Sequence, residues 1–101
     1  MTQSPMIEAV AHVAIETPRR YLTQLCQHFE HRLDVAYQDD RGSILSPAGT
    51  CLLDSSTGQL VLRARAEDAE KLALIEDVVS RHLLRFAFRN PPDITWQREA
   101  G

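Results

Sequence analysis

Hydrophobic and polar residues alternate along Ile7–Ile15, the first clearly patterned stretch of the chain. Every second residue from Ile7 onward is apolar, whereas the intervening positions include Glu8 and His12. A period of two residues is typical of a strand that buries one face. The stretch therefore predicts a first strand with one apolar face and one mixed face.

The apolar spacing becomes helical in two later stretches. Thr17 is a favourable N-cap and Pro18 suits the first helical position. The second helix is predicted to begin at the acidic segment from Glu67 and to end near Phe88, before "RNPPD". The predicted buried stripes are Leu22, Leu25, Cys26, Phe29 and Leu33 in the first helix and Leu72, Ile75, Val79, Leu83 and Phe86 in the second.

Four short apolar runs lie between these helices, at 35–38, 43–45, 50–53 and 59–64. The separators "DDRG", "SPAG" and "DSSTG" each combine glycine with Asp, Ser or Pro, as hairpin turns do. The pattern predicts an antiparallel meander of four strands. The segment that ends at Trp96 predicts either a short final strand or a tail that packs Trp96 on the core.

The predicted order, β-α-β-β-β-β-α with a possible short C-terminal strand, indicates an α+β fold. Two helices with one apolar stripe each can cover one face of an antiparallel sheet, which gives a two-layer architecture. The order resembles the TATA-box-protein-like or helix-grip arrangement at the level of the fold. A length of 101 residues fits a single domain over 1–101, ordered at about 6–97, with Met1–Pro5 and Arg98–Gly101 loose.

Composition excludes several classes of function. A net charge of −3 disfavours nucleic-acid binding, which usually requires a basic surface. No apolar run approaches the roughly 20 residues that span a bilayer, so no membrane contact is predicted. The N-terminal residues lack the pattern of a signal peptide, and we therefore expect a cytoplasmic protein with reduced Cys26 and Cys51.

The stretch "RYLTQLCQHFEH", Arg20–His31, contains a cysteine and two histidines. Cys26 falls in the buried stripe and His31 on the opposite face, so a nucleophile and base are poorly placed. His28 lies at the boundary and could join His31 in a metal site for zinc or iron. His82 would complete three ligands if the helices lie side by side; otherwise these are packed or solvated histidines.

Two surfaces are candidates for a ligand or partner. His12, Arg63 and Arg65 share the sheet face that the helices would leave open, where they could bind an anion or a second subunit. The alternative is an ordinary solvated face. Leu74, Leu84 and Phe88 fall off the buried stripe of the second helix. They predict an apolar patch for a partner, unless Trp96 and the tail cover them.

Three segments carry a resemblance to a known family: "RYLTQLCQHFEH", "RGSILSPAGTCLL" and "EDVVSRHLLRFAFRNPPDITW". With them the chain resembles the bacterial family of unknown function DUF2218. The resemblance implies a small α+β domain without an assigned activity. Some relatives are attached to siderophore-interacting proteins, which implies an association with iron or siderophore metabolism. The family resemblance assigns no catalytic residue to this chain.

These observations favour a small non-catalytic accessory or interaction module with a protein partner or a second copy of itself. The first alternative is a metal-binding protein that uses His28, His31 and His82. The second alternative is a small His/Cys enzyme, which the divergence of Cys26 from its neighbouring histidines disfavours.

Overall fold

The computed structural model describes residues 6–99, which form six strands and two helices. The predicted order of elements is confirmed, and the final segment is a strand. The elements are β1 (Ile7–Val13), α1 (Pro18–Phe29), β2 (Asp34–Gln38), β3 (Arg41–Ser46), β4 (Gly49–Asp54), β5 (Leu60–Ala66), α2 (Ala69–Phe86) and β6 (Trp96–Glu99). The segment Met1–Pro5 and the last two residues, Ala100 and Gly101, which were also predicted to be loose, lie outside the described residues.

The six strands form one antiparallel sheet in the order β2-β3-β4-β5-β1-β6. Strand β1 lies between β5 and β6, and its register with β5 runs from Ile7 opposite Ala66 to Val13 opposite Leu60. The meander of β2 to β5 follows the chain, as three short hairpin turns require. The sheet therefore combines a local meander with one strand taken from the start of the chain.

Both helices lie on the same face of this sheet, and a single core fills the space between the layers. The buried stripes predicted for the two helices are confirmed, since all of their members belong to the core or pack against it. Leu60, Leu62, Ala64 and Ala66 supply the β5 part of the core. Neither helix of the described chain combines the length and apolar character that crossing a bilayer requires.

The two helices begin in different ways. The backbone of Thr17 is left-handed, with a φ of 51°, and its hydroxyl donates to the Glu16 carbonyl instead of accepting from the helix. The prediction that Thr17 caps α1 with its side chain is therefore wrong, although Pro18 does occupy the first turn. At α2 the Asp68 carboxylate accepts from the Lys71 amide at 2.8 Å, as an N-cap should.

The C-terminal segment packs more closely than its sequence suggests. Arg98 and Glu99 belong to β6, and the Arg98 guanidinium lies 3.1 Å from Glu76 on α2. The Trp96 indole N–H donates to the Ser80 hydroxyl at 2.8 Å. The prediction that Arg98 is loose is wrong, because its position in β6 directs it towards a carboxylate on the helix above.

Candidate functional site

The two cysteines are structural. Cys26 and Cys51 are both buried and free of any disulfide. Burial, together with the charge of Glu30, raises the pKa of the Cys26 thiol to about 11. Burial and the neighbouring Cys26 raise the pKa of the Cys51 thiol to about 12. Because the thiolate is the reactive form, neither side chain is a nucleophile at neutral pH, and the prediction that Cys26 is an inward-facing packing residue is confirmed.

Two of the three candidate metal ligands meet between the helices. The rings of His28 on α1 and His82 on α2 have centroids 4.7 Å apart. Phe29 lies against His82 with ring centroids 4.8 Å apart, and Phe86 lies 5.6 Å from His28. The sequence predicts that His82 approaches His28 only if the two helices lie side by side in the right relative direction. The structure has this arrangement.

The hydrogen bonding of His82 fixes which of its nitrogens is available. Its Nδ1 lies 2.7 Å from the Val78 carbonyl oxygen, one turn earlier in α2. A carbonyl only accepts hydrogen bonds, so Nδ1 carries the proton. Nε2 is left to contact a ligand, as an acceptor in the neutral ring and as a donor in the imidazolium.

The surroundings of the histidine pair are electropositive. Burial lowers the pKa of His28, and the positive charges of His82, Arg85, His31 and Arg32 lower it further. Among residues 6–99 neither Arg32 nor Arg85 forms an ion pair. We use the name seam cluster for His28 and His82, which meet between α1 and α2, together with Arg32, four residues after His28, and Arg85, three residues after His82.

The seam cluster does not form a three-ligand metal site. Within the described part of the chain, no group of three His, Cys, Asp or Glu side chains is placed to hold a metal ion. A catalytic zinc site uses three protein ligands and a structural site four. The structure brings His28 and His82 together without adding His31, because His31 follows the end of α1, on its exposed side.

An apolar cleft of about 290 Å³ lies between α2, the C-terminal end of α1 and the β3–β4 hairpin. Its polar wall residue is Ser46, whose hydroxyl is already engaged within the hairpin by the Gly49 carbonyl and the Ala48 amide. The remaining walls are apolar. They include Phe29, Leu33, Ile44, Leu74, Ile75 and Val78.

A glycine allows the hairpin to approach α2 and close this cleft on one side. Gly49 has a φ of +148°, which side chains rarely adopt. A Cβ at this position would overlap the Arg65 carbonyl oxygen and lie 2.9 Å from Cδ1 of Ile75. The sequence marks "SPAG" as a turn and Leu74 as an apolar residue off the buried stripe. Of these two features of the sequence, only the apolar Leu74 outside the buried stripe indicates a cleft at this position.

The cleft and the seam cluster are adjacent, because two wall residues of the cleft contact His82. Phe29 lines the cleft and also contacts the His82 ring. Val78 lines the cleft, and its carbonyl accepts the hydrogen bond from His82. The His82 ring therefore lies next to one end of the apolar cleft, against the wall residues Phe29 and Val78.

The open face of the sheet is less electropositive than its sequence suggests. Glu8 lies between the two arginines that the sequence offers as an anion site, 2.9 Å from Arg63 and 3.0 Å from Arg65. Its carboxylate neutralises part of their charge and uses donors that an anion would need. His12 is exposed on the same face opposite Val61, one position away from this ion-pair network.

The three apolar residues off the α2 stripe are exposed but do not form one patch. Leu74, Leu84 and Phe88 are 53%, 38% and 70% exposed, so the C-terminal tail does not cover them. Trp96 packs instead at Ser80. Leu74 lies at the cleft, whereas Leu84 and Phe88 lie at the other end of α2.

Comparison with known proteins supports the fold. The chain is similar to the protein in the NMR structure of PA4090 from Pseudomonas aeruginosa, with 30% sequence identity and a TM-score of 0.77. The match covers 90% of this chain and 95% of that chain. No curated protein matches the sequence.

The family comparison agrees with the resemblance carried by the three sequence segments. The matching family model is described as an uncharacterized protein conserved in bacteria and spans residues 10–97. That description names no activity or ligand, so the association with siderophore metabolism stays a prediction. The chain belongs to the DUF2218 family of bacterial proteins.

Proposed function

We propose that this protein is a non-catalytic binding module whose ligand inserts an apolar group into the cleft beside α2. The observation that carries the proposal is the cleft itself, about 290 Å³ with walls that are almost entirely apolar. Small-molecule sites are concave and mostly apolar, with volumes of roughly 300–1,000 Å³. The volume matches the lower end of that range, which suits one short chain or one ring.

The exposure of the cleft walls gives such a ligand a source of affinity. Leu74 is 53% exposed at the cleft, and Phe29 is half-buried. A ligand that covers these side chains removes apolar surface from water, which contributes about 25 cal/mol per Å². The raised pKa values of the two buried thiols disfavour the alternative of a cysteine enzyme.

Titration with octan-1-ol, followed by amide chemical shifts in NMR spectra, tests the proposal. We expect shifts confined to the cleft walls and the β3–β4 hairpin. Val78→Phe fills the cleft and should weaken binding at least tenfold. Leu84→Phe adds the same ring on the exposed side of α2 and should leave binding unchanged. Shifts scattered over the surface, or equal binding by both variants, would contradict the proposal.

A second candidate function is metal binding by His28 and His82. It is favoured by the bond from Nδ1 of His82 to the Val78 carbonyl, since histidine ligands usually donate their other ring N–H in this way. Two histidines would need further ligands from water or a second copy of the chain to complete a zinc or iron site.

Elemental analysis of untagged protein, before and after incubation with zinc or ferrous iron, tests this second candidate. We expect a metal-to-protein ratio between about one half and one, corresponding to a shared or a single site. His82→Gln should remove the metal, and His12→Gln, on the open sheet face, should not. A ratio near zero in the wild-type protein would eliminate metal binding.

A further inference from the structure

We propose that the ligand is an amphiphile with a carboxylate head, whose chain lies in the apolar cleft and whose head contacts the seam cluster. This inference rests on the proposed function, because it requires the cleft to be a ligand site. It adds the chemical class of the ligand and the residues that would select it.

The first argument is that the cleft and the seam cluster are adjacent. Phe29 and Val78 form part of the cleft and also contact or hydrogen-bond His82. A molecule that lies in the cleft and extends beyond Phe29 and Val78 would therefore reach His82, and His28 next to it. A ligand with one apolar end and one polar end matches this order of surfaces.

The second argument is the charge at the polar end. Arg32 and Arg85 have no ion-pair partner among residues 6–99, although the protein has a net charge of −3. On the open face, by contrast, Glu8 binds both Arg63 and Arg65. Unpaired guanidinium groups beside imidazoles favour a carboxylate, which a planar guanidinium can bind through two hydrogen bonds.

The third argument is size. Water occupies roughly 30 Å³ per molecule in the liquid, and a chain methylene is about as large. A cleft of about 290 Å³ therefore accommodates a chain of about eight to ten carbons. Octanoate has a chain of about this length with a carboxylate at one end, and octan-1-ol provides a probe with the same number of carbons and no charge.

The experiment compares octanoate with octan-1-ol, by calorimetry and by NMR titration of the full chain. We expect octanoate to bind at least tenfold more tightly. Arg85→Gln should reduce the preference for octanoate several-fold while leaving the affinity for octan-1-ol unchanged, and His82→Gln should weaken the binding of octanoate. Arg20→Gln removes an exposed cation near the other end of α1 and should change neither affinity.

The outcomes separate this inference from the proposed function. Equal binding of the two probes in the cleft, unaffected by Arg85→Gln, would overturn the carboxylate assignment and leave the cleft as an apolar site. Absence of binding by both probes would overturn both proposals. A loss of dispersion in the amide spectrum would identify any variant that fails to fold. If Arg85→Gln fails to fold, Arg85→Lys replaces that variant, because lysine keeps the charge but lacks the planar donors.

Discussion

Gly42 and Cys26 contact each other where β3 passes beneath α1. A Cβ at position 42 would lie 2.7 Å from the Cys26 sulfur and 3.3 Å from Cβ of Tyr37. The thiol is fully buried and sits on a helix, so it cannot easily move away. At the scale of single residues, a glycine in β3 thus determines how closely α1 packs on the sheet.

We expect Gly42→Ala to destabilise the protein by about 1–3 kcal/mol, because the added methyl group overpacks this contact. Urea denaturation followed by circular dichroism would give the free energy of unfolding. Cys26→Ala removes the sulfur, so the double variant should lose less than the sum of the two single losses. Strict additivity would show that the two side chains do not interact.

The sequence predicts the positions and contacts of some residues better than those of others. The inward position of Cys26 follows from helical spacing alone. The ion pairs of Glu8 with Arg63 and Arg65 require the β1–β5 register, which no local pattern contains. The contact of His28 with His82 requires the relative direction of two helices separated by four strands.

At the scale of the elements, α1 and α2 begin with different chemistry. Asp68 satisfies a free backbone amide of α2, whereas Thr17 directs its hydroxyl to Glu16 and leaves α1 without a side-chain cap. Apolar periodicity nevertheless predicts both helices, because their buried stripes provide most of their stability. The short β6 was predicted only as one of two alternatives, since four residues show no reliable period.

The two helix starts provide a matched pair of variants. Asp68→Ala should lower the free energy of unfolding by about 0.5–2 kcal/mol through loss of the N-cap. Thr17→Ala should cost less, because no capping hydrogen bond is lost. Thermal and urea unfolding of both variants would measure the difference. Equal losses would indicate that the Thr17 hydroxyl caps α1 in solution.

The β3–β4 hairpin provides a second pair of variants at this scale. Gly49 and Gly58 both have positive φ, but an added Cβ meets neighbouring atoms only at Gly49. Gly49→Ala should therefore destabilise the protein by several kcal/mol, whereas Gly58→Ala carries only the backbone cost of about 1–2 kcal/mol. Similar unfolding midpoints for the two variants would contradict close packing of the hairpin on α2.

At the scale of the whole molecule, two buried helix stripes and one sheet face form the core, and the other sheet face stays open. Composition and periodicity predict this two-layer arrangement. They do not predict the order of strands or the cleft, because both depend on how β1 inserts beside β5 and how closely the hairpin approaches α2. The proposed ligand site is therefore the part of the molecule that the sequence predicts least.

Stability should fall on mild acidification. The pKa of His28 is lowered in the folded state from its ordinary 6.5, so the unfolded chain binds a proton more readily. The contribution of neutral His28 is complete above 6.5 and is lost as the pH falls below it. Urea unfolding between pH 8 and pH 5 should show this loss, and His28→Gln should reduce it. An equal pH dependence in wild type and variant would contradict the expectation.

Stability should also fall in alkali. Burial raises the pKa of Cys26 from 9.0 to about 11, so the unfolded chain ionises first. The stabilisation by this neutral thiol is complete below pH 9 and is lost as the pH rises towards 11. The free energy of unfolding should decline over that range, less steeply in Cys26→Ala. Rapid reaction of the native thiols with iodoacetamide at pH 8 would contradict their burial.

The insertion of β1 between β5 and β6 also affects how the chain folds. Strand β1 is synthesised first, yet its hydrogen-bonding partners Leu60–Ala66 and Trp96–Glu99 emerge from the ribosome much later. The β2–β5 meander can assemble from neighbouring hairpins in the meantime, and closure of the long loop from Val13 to Leu60 follows. We therefore expect docking of β1 to be a late step of folding, during which the nascent chain exposes one edge of β5 until the first strand pairs with it.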